Sequence, residues 1–483
     1  MSTLCIPVAG NSSPTLIEPP PDPPGLWAED LAAWHQDLGA RLARLQAHPE
    51  QGLGFIEEQV RACALELQRK VVERAMQAKA DAVAEHCPHC QTPLVERKRR
   101  VPKTIHSYCG SLCLFRTHGW CRSCAQWVFP ADVGLGLAAD STASPLVQEL
   151  CALLVAKMPS EQAEALSQRV VGLKLSRSTL GREAQRQGER AIQQRQAQLA
   201  QPIVSPPPAA ALGQDQPPKP FTLVLQIDAW NIRERDDWGQ TPGLRQRGQE
   251  PNRWHWVYTA TCFRLEQRVR KGKRRALITE RSYVATRAGL EPMMAQLHAE
   301  AMRRGLAQAQ RVLVIADGAL WIWNGVQDRF GEATQRLDLF HANAYLWAVA
   351  NQLHEGDPKA ARQWVKPFLR QLRTDQVAQV ISSLTQLQPR LTSPAATAAQ
   401  RAIEYYRNNQ KRMRYRAGRQ RGEPLGSGAI ESTCRQLQCR MKRCGQFWST
   451  AGDEALLCLE TFWRNDRWEL LFPHVVLTAV STN

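Results

Sequence analysis

The sequence has no run of about 18 consecutive apolar residues, the length that a membrane-spanning helix needs. This absence argues against a membrane protein. The first residues, MSTLCIPVAGNSSP, also lack a basic segment followed by an apolar one, so no secretory signal peptide is predicted. We therefore expect a cytoplasmic protein in a reducing compartment, where paired cysteines serve more often as metal ligands than as disulfides.

Acidic residues are scarce relative to basic ones. Asp and Glu number 45 against 62 Lys and Arg in 483 residues, which gives a formal net charge of +17. Such an excess attracts a polyanion such as nucleic acid, although a soluble basic protein without that partner would share it. Because a single hydrophobic core stops growing at roughly 250 to 300 residues, the length predicts several domains.

Composition and apolar spacing predict helices on both sides of a cysteine-rich block and a mixed-sheet α/β domain after a proline-rich linker. Strands are expected at 221–228, 254–263, 276–285 and 311–316, where Val, Ile, Thr and aromatic residues are frequent. The predicted segments are a disordered leader (1–25), an N-terminal helical region (26–84), a zinc-binding module (85–140), a helical region with a candidate helix-turn-helix (141–200), the linker (201–220), the first part of the α/β core (221–350), an all-helical insertion (351–425) and the last part of the core (426–483).

Two CxxC pairs, Cys87–Cys90 and Cys121–Cys124, have the spacing of a structural zinc site. Each pair can place two thiolates on one tetrahedral ion, and the alternative is four unrelated buried cysteines. The basic stretch ERKRRVPK (96–103) between the pairs suits contact with nucleic acid phosphates. The sequence leaves two alternatives for the other cysteines and histidines of this block, a second metal site or no metal binding. They are Cys109, Cys113, His86, His89, His106 and His118.

The segment from Ser160 to Arg186 predicts a helix, a turn through Gly172 and a second helix capped by Ser176 or Ser178. This order is typical of a helix-turn-helix, and an ordinary helical hairpin with a solvated charged face is the alternative. The cations of the second helix that would face DNA are Arg177, Arg182 and Arg186.

Two apolar strands are each expected to end in an acid, Asp228 and Asp317. A buried carboxylate is costly unless it is paired or bound to metal, whereas a solvent-facing acid at a strand end is the simpler alternative. Phosphodiester chemistry with two divalent ions needs converging carboxylates, and Mg²⁺ prefers such oxygen ligands. Glu431 begins a later helix after the turn GSGAI, and the nearby cations suited to DNA phosphates are Arg435, Lys442 and Arg443.

Several strings resemble the DDE transposases of bacterial insertion sequences, in the branch related to mutator-like elements and Kra-type insertion sequences. They are IDAW around Asp228, ADGALWIWN around Asp317, RLDLFHANAYLW from Arg336, GSGAIEST, and MKRCGQFWSTAG. The strings CPHC, CRSC and FPADVGLGL resemble the zinc-bearing N-terminal region of that group. The resemblance covers roughly residues 85–465.

This resemblance implies a ribonuclease-H-like catalytic core that an all-helical insertion interrupts before its last catalytic helix. It places two Mg²⁺ (or Mn²⁺) ions on Asp228, Asp317 and Glu431. It also carries an Asp-x-x-His element onto Asp338 and His341, which would assist at the site or hold DNA, unless they form a hydrogen-bonded core pair. The implied partners are double-stranded DNA, as element ends and target, and further copies of the chain in a synaptic complex at the bacterial nucleoid.

Some positions depart from the family pattern or stay open. Asp236 and Asp237 follow Asp228 closely enough to compete as ligands, and Gln438 stands where some DDE groups have a cation. The side chains considered for contacts with flanking or flipped bases are Trp230, Arg233 and Trp323, with core packing as the alternative for both tryptophans. The expected activity is binding of element ends, nicking and strand joining. A nuclease that cuts without joining, or a DNA-binding regulator without catalysis, are the alternatives.

Overall fold

The computed structural model describes residues 26–48, 50–138, 141–202, 220–235, 241–248, 253–270, 276–444 and 446–473. The chain divides into two compact units, Met1–Val147 and Gln148–Asn483. The predicted leader and most of the proline-rich linker lie outside the described residues, as do Asp236 and Asp237. No helix in these described ranges combines the length and apolarity needed to cross a bilayer.

The first unit begins with two helices, α1 (Leu26–Ala47) and α2 (Leu53–Asp81), where apolar spacing predicts them. An antiparallel sheet of β1 (Val95–Ser107), β2 (Gly110–Cys121) and the short β3 (Gln126–Val128) follows, and then the helix α3 (Pro130–Gly134). The β1–β2 hairpin occupies the chain between the two cysteine pairs, as the strand-like sequence there predicts.

Polar side chains of α2 complete the hydrogen bonding of β2. Because β3 pairs with only three residues of β2, the amides of Cys113 and Phe115 have no strand beside them there. Glu73 accepts a hydrogen bond from the Cys113 amide at 2.7 Å. The Gln77 side chain accepts from the Phe115 amide at 2.9 Å and donates to its carbonyl at 2.8 Å. These contacts give the outward-facing backbone groups of β2 partners on α2 where no third strand is present.

Helix α4 (Pro145–Lys157) begins at the division between the units and is followed by α5 (Ser160–Leu166) and α6 (Arg177–Ala200). After α5, a π-helical turn ends at Gly172, whose φ of 80° is left-handed. The Ser176 side chain caps α6 by accepting a hydrogen bond from the Thr179 amide at 3.2 Å. The turn and one of the two proposed caps therefore lie where the sequence predicts them.

The helix α6 packs on α16 (Thr450–Arg464), the last α-helix among the described residues. The two helices approach so closely that a Cβ on Gly188 would lie 2.5 Å from the Cβ of Ala455. Small residues on both helices allow this approach. The helical region from Gln148 onward thus belongs to the same compact unit as the α/β core, whereas the proline-rich linker predicts a division between the two.

A mixed five-stranded sheet forms the centre of the second unit, which confirms the predicted α/β class. In chain order its strands are β4 (Thr222–Glu234), β5 (Arg253–Arg264), β8 (Ser282–Thr286), β9 (Arg311–Ala316) and β10 (Thr334–Leu337). Their order across the sheet is β10-β9-β4-β5-β8. Only β5 is antiparallel to its neighbours, while β9 is parallel to both β4 and β10. The strands β6 (Arg268–Arg270) and β7 (Ala276–Ile278) form a separate hairpin.

Helices surround this sheet and continue into a long helical block with no strand between residues 339 and 420. Their bounds are α7 (Thr241–Gln246), α8 (Leu290–Arg303), α9 (Leu320–Arg329), α10 (Leu339–Leu353), α11 (Pro358–Arg373), α12 (Val377–Leu387), α13 (Ser393–Asn409), α14 (Tyr415–Gln420) and α15 (Gly428–Met441). One apolar core joins sheet residues such as Leu225 and Val314 to helical-block residues such as Leu346, Val380 and Tyr406. The helical block therefore packs on the sheet.

Candidate active site and zinc site

Neighbouring parallel strands bring Asp228 and Asp317 together. Gln226 of β4 lies beside Ile315 of β9, and extending this register by two residues places Asp228 beside Asp317. The structure corrects one expectation, because Asp228 does not end its strand. β4 stays paired with β5 as far as Glu234, so Asp228 lies in the middle of β4, and Asp317 is the first residue after β9.

The turn after Asp317 is shaped by a tyrosine from the helical block. The Asp317 carboxylate accepts a hydrogen bond from the Ala319 amide at 2.9 Å. A Cβ on Gly318 would lie 2.3 Å from the Tyr405 ring, so glycine is required here for space. Tyr405 in turn stacks on Tyr345 with ring centroids 3.9 Å apart. The helical block thus contributes one wall beside the acid.

Asp338 is fully buried and links two distant parts of the chain. One carboxylate oxygen caps α10 by accepting a hydrogen bond from the His341 amide at 2.7 Å, and it lies 3.3 Å from His341 Nδ1. The other oxygen accepts hydrogen bonds from the Ser427 amide and, at 2.7 Å, from the Ser427 hydroxyl. Burial favours the neutral acid, but hydrogen bonds from His341 and Ser427 outweigh it and lower the pKa of Asp338.

Ser427 also holds the predicted third acid. It lies just before α15, and its hydroxyl is 3.1 Å from a Glu431 carboxylate oxygen. One donor oxygen each from Asp338 and Glu431 and one ring nitrogen of His341 lie within 4.8 Å of one another, a spacing that could hold a metal ion. The resemblance implies that Asp228 and Asp317 join Glu431 as metal ligands. Among the described residues, the group with this close spacing instead combines Glu431 with Asp338 and His341, the Asp-x-x-His element.

Electrostatic effects connect all five side chains. A hydrogen bond to Asp338 raises the pKa of His341 to about 9 despite partial burial, and the charges of Asp317 and Glu431 raise it further. Burial raises the pKa of Asp228, as does the charge of Asp317, although hydrogen bonds from the Ala229 amide and the Cys434 thiol oppose this rise. The sites predicted in separate parts of the sequence therefore form one acidic cluster around His341.

We expect the metal-free protein to give a His341 pKa of about 9 in an NMR titration, because the Asp338 carboxylate stabilises the imidazolium. The raised value means that this stabilisation is complete below pH 6.5 and is lost as the pH rises through about 9. Asp338→Asn should lower the His341 pKa. The variant His341→Gln shows which NMR signal belongs to His341, because that signal is missing from its spectrum. Asp357→Asn, which changes the N-cap of α11, is the matched control and should leave that pKa unchanged. A His341 pKa near 6.5 in the unchanged protein would contradict this expectation.

The two tryptophans proposed for contacts with DNA bases lie in the core and not on the surface. Trp230 and Trp323 are buried, so their proposed contacts with DNA bases are wrong and core packing explains both. Arg233 is exposed, and its guanidinium lies 5.0 Å from the centroid of the Trp254 ring. Trp254 and Trp256 are both more than half exposed on β5. Because Trp254 and Trp256 are two positions apart in a strand, they lie on the same face of the sheet. This spacing is the sequence signal from which an exposed aromatic pair could have been predicted.

The four CxxC cysteines of the first unit converge as predicted, with sulfurs within 4.8 Å of one another. The Cys90–Cys121 and Cys87–Cys124 sulfurs are 3.5 and 3.9 Å apart. These separations suit a tetrahedral zinc ion, since Zn–S bonds of about 2.3 Å give edges of about 3.8 Å, and they exclude disulfides of about 2.05 Å. The four residues therefore fit a structural zinc ion.

Local backbone geometry supports the thiolates. A residue in the left-handed conformation follows each pair, Gln91 at φ 61° and Ala125 at φ 48°. The Cys124 amide lies 3.3 Å from the Cys121 sulfur, a hydrogen bond typical of such turns. Hydrogen bonds from Thr92 and from neighbouring thiols lower the pKa of Cys90 to about 5, whereas the hydrogen bond to Cys90 and burial raise the pKa of Cys124, so the metal-free cluster favours a single thiolate on Cys90.

No second metal group forms from the other cysteines and histidines within the described part of the first unit. His118 instead stacks between Trp127 and Phe129, with centroids 4.7 and 4.1 Å away. His106 Nδ1 lies 3.3 Å from the Ser111 hydroxyl. These contacts give both histidines structural partners.

The predicted DNA-binding cations differ in exposure. Arg182, Arg435, Lys442 and Arg443 are exposed. Arg177 is exposed too, but it forms ion pairs with Glu161 and Glu164 of α5. Arg186 is largely buried and is held by the buried Glu183 at 2.6 Å, which makes it a poor candidate for contact with DNA. The sequence could not separate these cases because exposure and ion pairing depend on residues that only the fold brings together.

A comparison of the chain with protein-family models and with curated proteins finds no match. The functional assignment therefore depends on the site's residues and on the resemblance of its motifs.

Proposed function

We propose that this chain is a DDE-type DNA transposase that binds the ends of an insertion sequence, nicks them and joins the exposed strands to target DNA. The observation that carries this proposal is the arrangement of four separate chain segments around His341. Donor atoms of Asp338 and Glu431 lie within 4.8 Å of its ring nitrogen, and Asp228 and Asp317, on neighbouring strands, each interact electrostatically with it. Burial and the charge of Asp317 raise the pKa of Asp228, and a cation bound beside these acids would offset both effects.

The sheet supports the same proposal. If β4, β5, β8, β9 and β10 are counted as strands 1 to 5 of the sheet, their order across it is 3-2-1-4-5. Only strand 2, which is β5, runs antiparallel to the others. Ribonuclease-H-like sheets have this order, with one acid on the first strand and another after the fourth. Asp228 and Asp317 occupy these two positions, and Glu431 begins the helix after the helical block. We infer that the catalytic core has a ribonuclease-H-like fold.

Asp228, Asp317 and Glu431 would hold two Mg²⁺ or Mn²⁺ ions. Their donor atoms are carboxylate oxygens, which these ions prefer, and the raised pKa of Asp228 is what a cation would relieve. Bound ions of this kind would supply activation of the attacking hydroxyl and stabilisation of the leaving oxygen.

The chain's own residues orient the reactants. Both Asp338 oxygens already accept two contacts each, so this residue positions His341 and Ser427. Ser427 in turn orients Glu431. The protonated His341 side chain is nearly half exposed and can donate to a phosphate oxygen of bound DNA. The exposed cations Arg182, Arg435, Lys442 and Arg443 would neutralise further phosphates, and synapsis of two ends requires further copies of the chain.

The experiment that tests this function uses the purified protein, Mg²⁺ and DNA carrying the element's terminal repeats, with products separated by size. We expect nicks at the element ends and joined strands. Nicks without joined product would favour a nuclease of similar fold. Specific binding without either product would favour a DNA-binding regulator and would contradict the proposed catalysis.

A further inference from the structure

A strongly cationic groove of about 770 Å³ lies at the edge of the sheet in the second unit. Its walls come from the start of β9 and β10 and from the segment between Arg407 and Arg421 at the end of the helical block. None of its lining residues is acidic, and seven carry a positive charge. A concave surface lined by one sign of charge focuses the field and attracts the opposite charge.

Three of these cations share one buried carboxylate. Glu423 lies 2.6 Å from Arg336, 2.7 Å from Arg421 and 3.6 Å from Arg311. Its single charge cannot offset three guanidinium groups. The groove therefore keeps a positive excess even where its cations are paired.

The other four cations are Arg407, Lys411, Arg412 and Arg414. Arg412 is fixed, because its guanidinium lies 4.6 Å from the centroid of the Trp323 ring and donates to Gln335 at 2.7 Å. Arg407, Lys411 and Arg414 are exposed, and none forms an ion pair with a described residue. These three cations are therefore available to an anionic partner.

We propose that this groove binds the phosphate backbone of duplex DNA as a second contact, separate from the acidic cluster. This inference rests on the proposed function, which supplies DNA as the partner. Arg311 begins β9 and Asp317 follows its last residue, so the Arg311 end of the groove is about 20 Å from that acid at 3.3 Å per residue. Arg336, two residues before Asp338, brings the other end of the groove closer to the acidic cluster. Duplex DNA presents one charge per about 1.7 Å of axis, which matches a row of cations better than a single small anion does.

The experiment compares the full-length protein with the triple variant Arg407→Gln, Lys411→Gln, Arg414→Gln. Binding to a duplex of unrelated sequence is measured without Mg²⁺ at several salt concentrations. The matched control is Arg362→Gln, Lys366→Gln, Arg370→Gln, which removes the same residue types from the exposed side of α11, outside the groove. Thermal unfolding of each variant verifies the fold.

Each lost phosphate contact reduces the slope of log affinity against log salt concentration by about 0.9. The slope of the groove variant should therefore be smaller by about 2 to 3, and the variant should bind at least about tenfold more weakly at 0.1 M salt. The control should keep the original slope. An unchanged slope in the groove variant, equal loss in the control, or no DNA binding by the unchanged protein would each overturn the groove proposal. Binding of duplex RNA at least tenfold tighter than duplex DNA would overturn the choice of partner.

The two proposals fail in different ways. A groove-dependent salt slope in a protein that never nicks or joins DNA would reject the transposase and retain the groove. If the groove variant binds DNA as the unchanged protein does and nicks and joins it normally, the groove proposal is rejected and the transposase is retained.

Discussion

Replacing Glu431 by glutamine is expected to reduce Mg²⁺-dependent nicking and joining by about a thousandfold or more while leaving DNA binding intact. Loss of a ligand removes several kcal/mol of transition-state stabilisation, and each 1.36 kcal/mol corresponds to about tenfold in rate. Glutamine keeps the size of the side chain, and its amide group can donate a hydrogen bond to the Ser427 hydroxyl oxygen, 3.1 Å from the Glu431 carboxylate. The variant therefore removes charge with little change in packing. Single-turnover rates on pre-bound DNA would measure the effect.

The matched control is Glu291→Gln, which changes an exposed acid in the first turn of α8, as Glu431 is an acid in the first turn of α15. It should leave both rates unchanged. Asp228→Asn and Asp317→Asn should resemble Glu431→Gln, and all three should weaken Mn²⁺ binding measured by electron paramagnetic resonance. Full joining by Glu431→Gln would show that the third ligand has been assigned wrongly.

The second large effect concerns the first unit. The variant Cys87→Ser, Cys121→Ser should contain no zinc, whereas the unchanged protein should contain one ion per chain. Zinc binding contributes about 10 to 16 kcal/mol of apparent folding free energy in small zinc domains, so residues around the cluster should lose their order. Metal content measured by mass spectrometry and limited proteolysis of the first unit would show both changes.

The control for this prediction lies on the same hairpin. Cys109→Ser, Cys113→Ser removes two cysteines that belong to no metal group among the described residues, and it should keep zinc and protease resistance. Equal zinc in all three proteins would rule out the four-cysteine site. Zinc lost only from the Cys109, Cys113 variant would place the metal elsewhere on the hairpin.

Sequence alone predicted the parts of the structure that depend on local patterns. The CxxC spacing predicted the cysteine cluster, and the apolar runs predicted the strands that carry Asp228 and Asp317. Glu431 depended instead on a short string, because one acid at a helix start has no distinctive period. The sequence also placed Asp228 at a strand end, since apolar character falls after it, but pairing with β5 extends β4 to Glu234.

Other features arise only when distant residues meet. Tyr405 against Gly318, Ser427 beside Asp338 and Cys434 beside Asp228 each join residues separated by more than 80 positions. The groove illustrates the same limit. Arg407, Lys411 and Arg414 follow helical spacing and contribute to the cationic run, whereas Arg311 and Arg336 reach the same groove from strands.

The hydrogen bonds between Asp338 and Ser427 close the helical block into a loop, because one residue precedes the block and the other follows it. The ends of this loop are fixed next to the site regardless of how much chain lies between them. Loop closure alone would allow a longer or shorter connection, since its entropy changes by only about 0.6 kcal/mol for each doubling of length. The packing of the block in the core of the sheet, and of Tyr405 against Gly318, restricts such changes to the exposed side of the block. The short spacings Asp338-x-x-His341 and Ser427-x-x-x-Glu431 are therefore fixed by the geometry of the site, whereas the long distance from Asp317 to Glu431 can change through the exposed turns of the block.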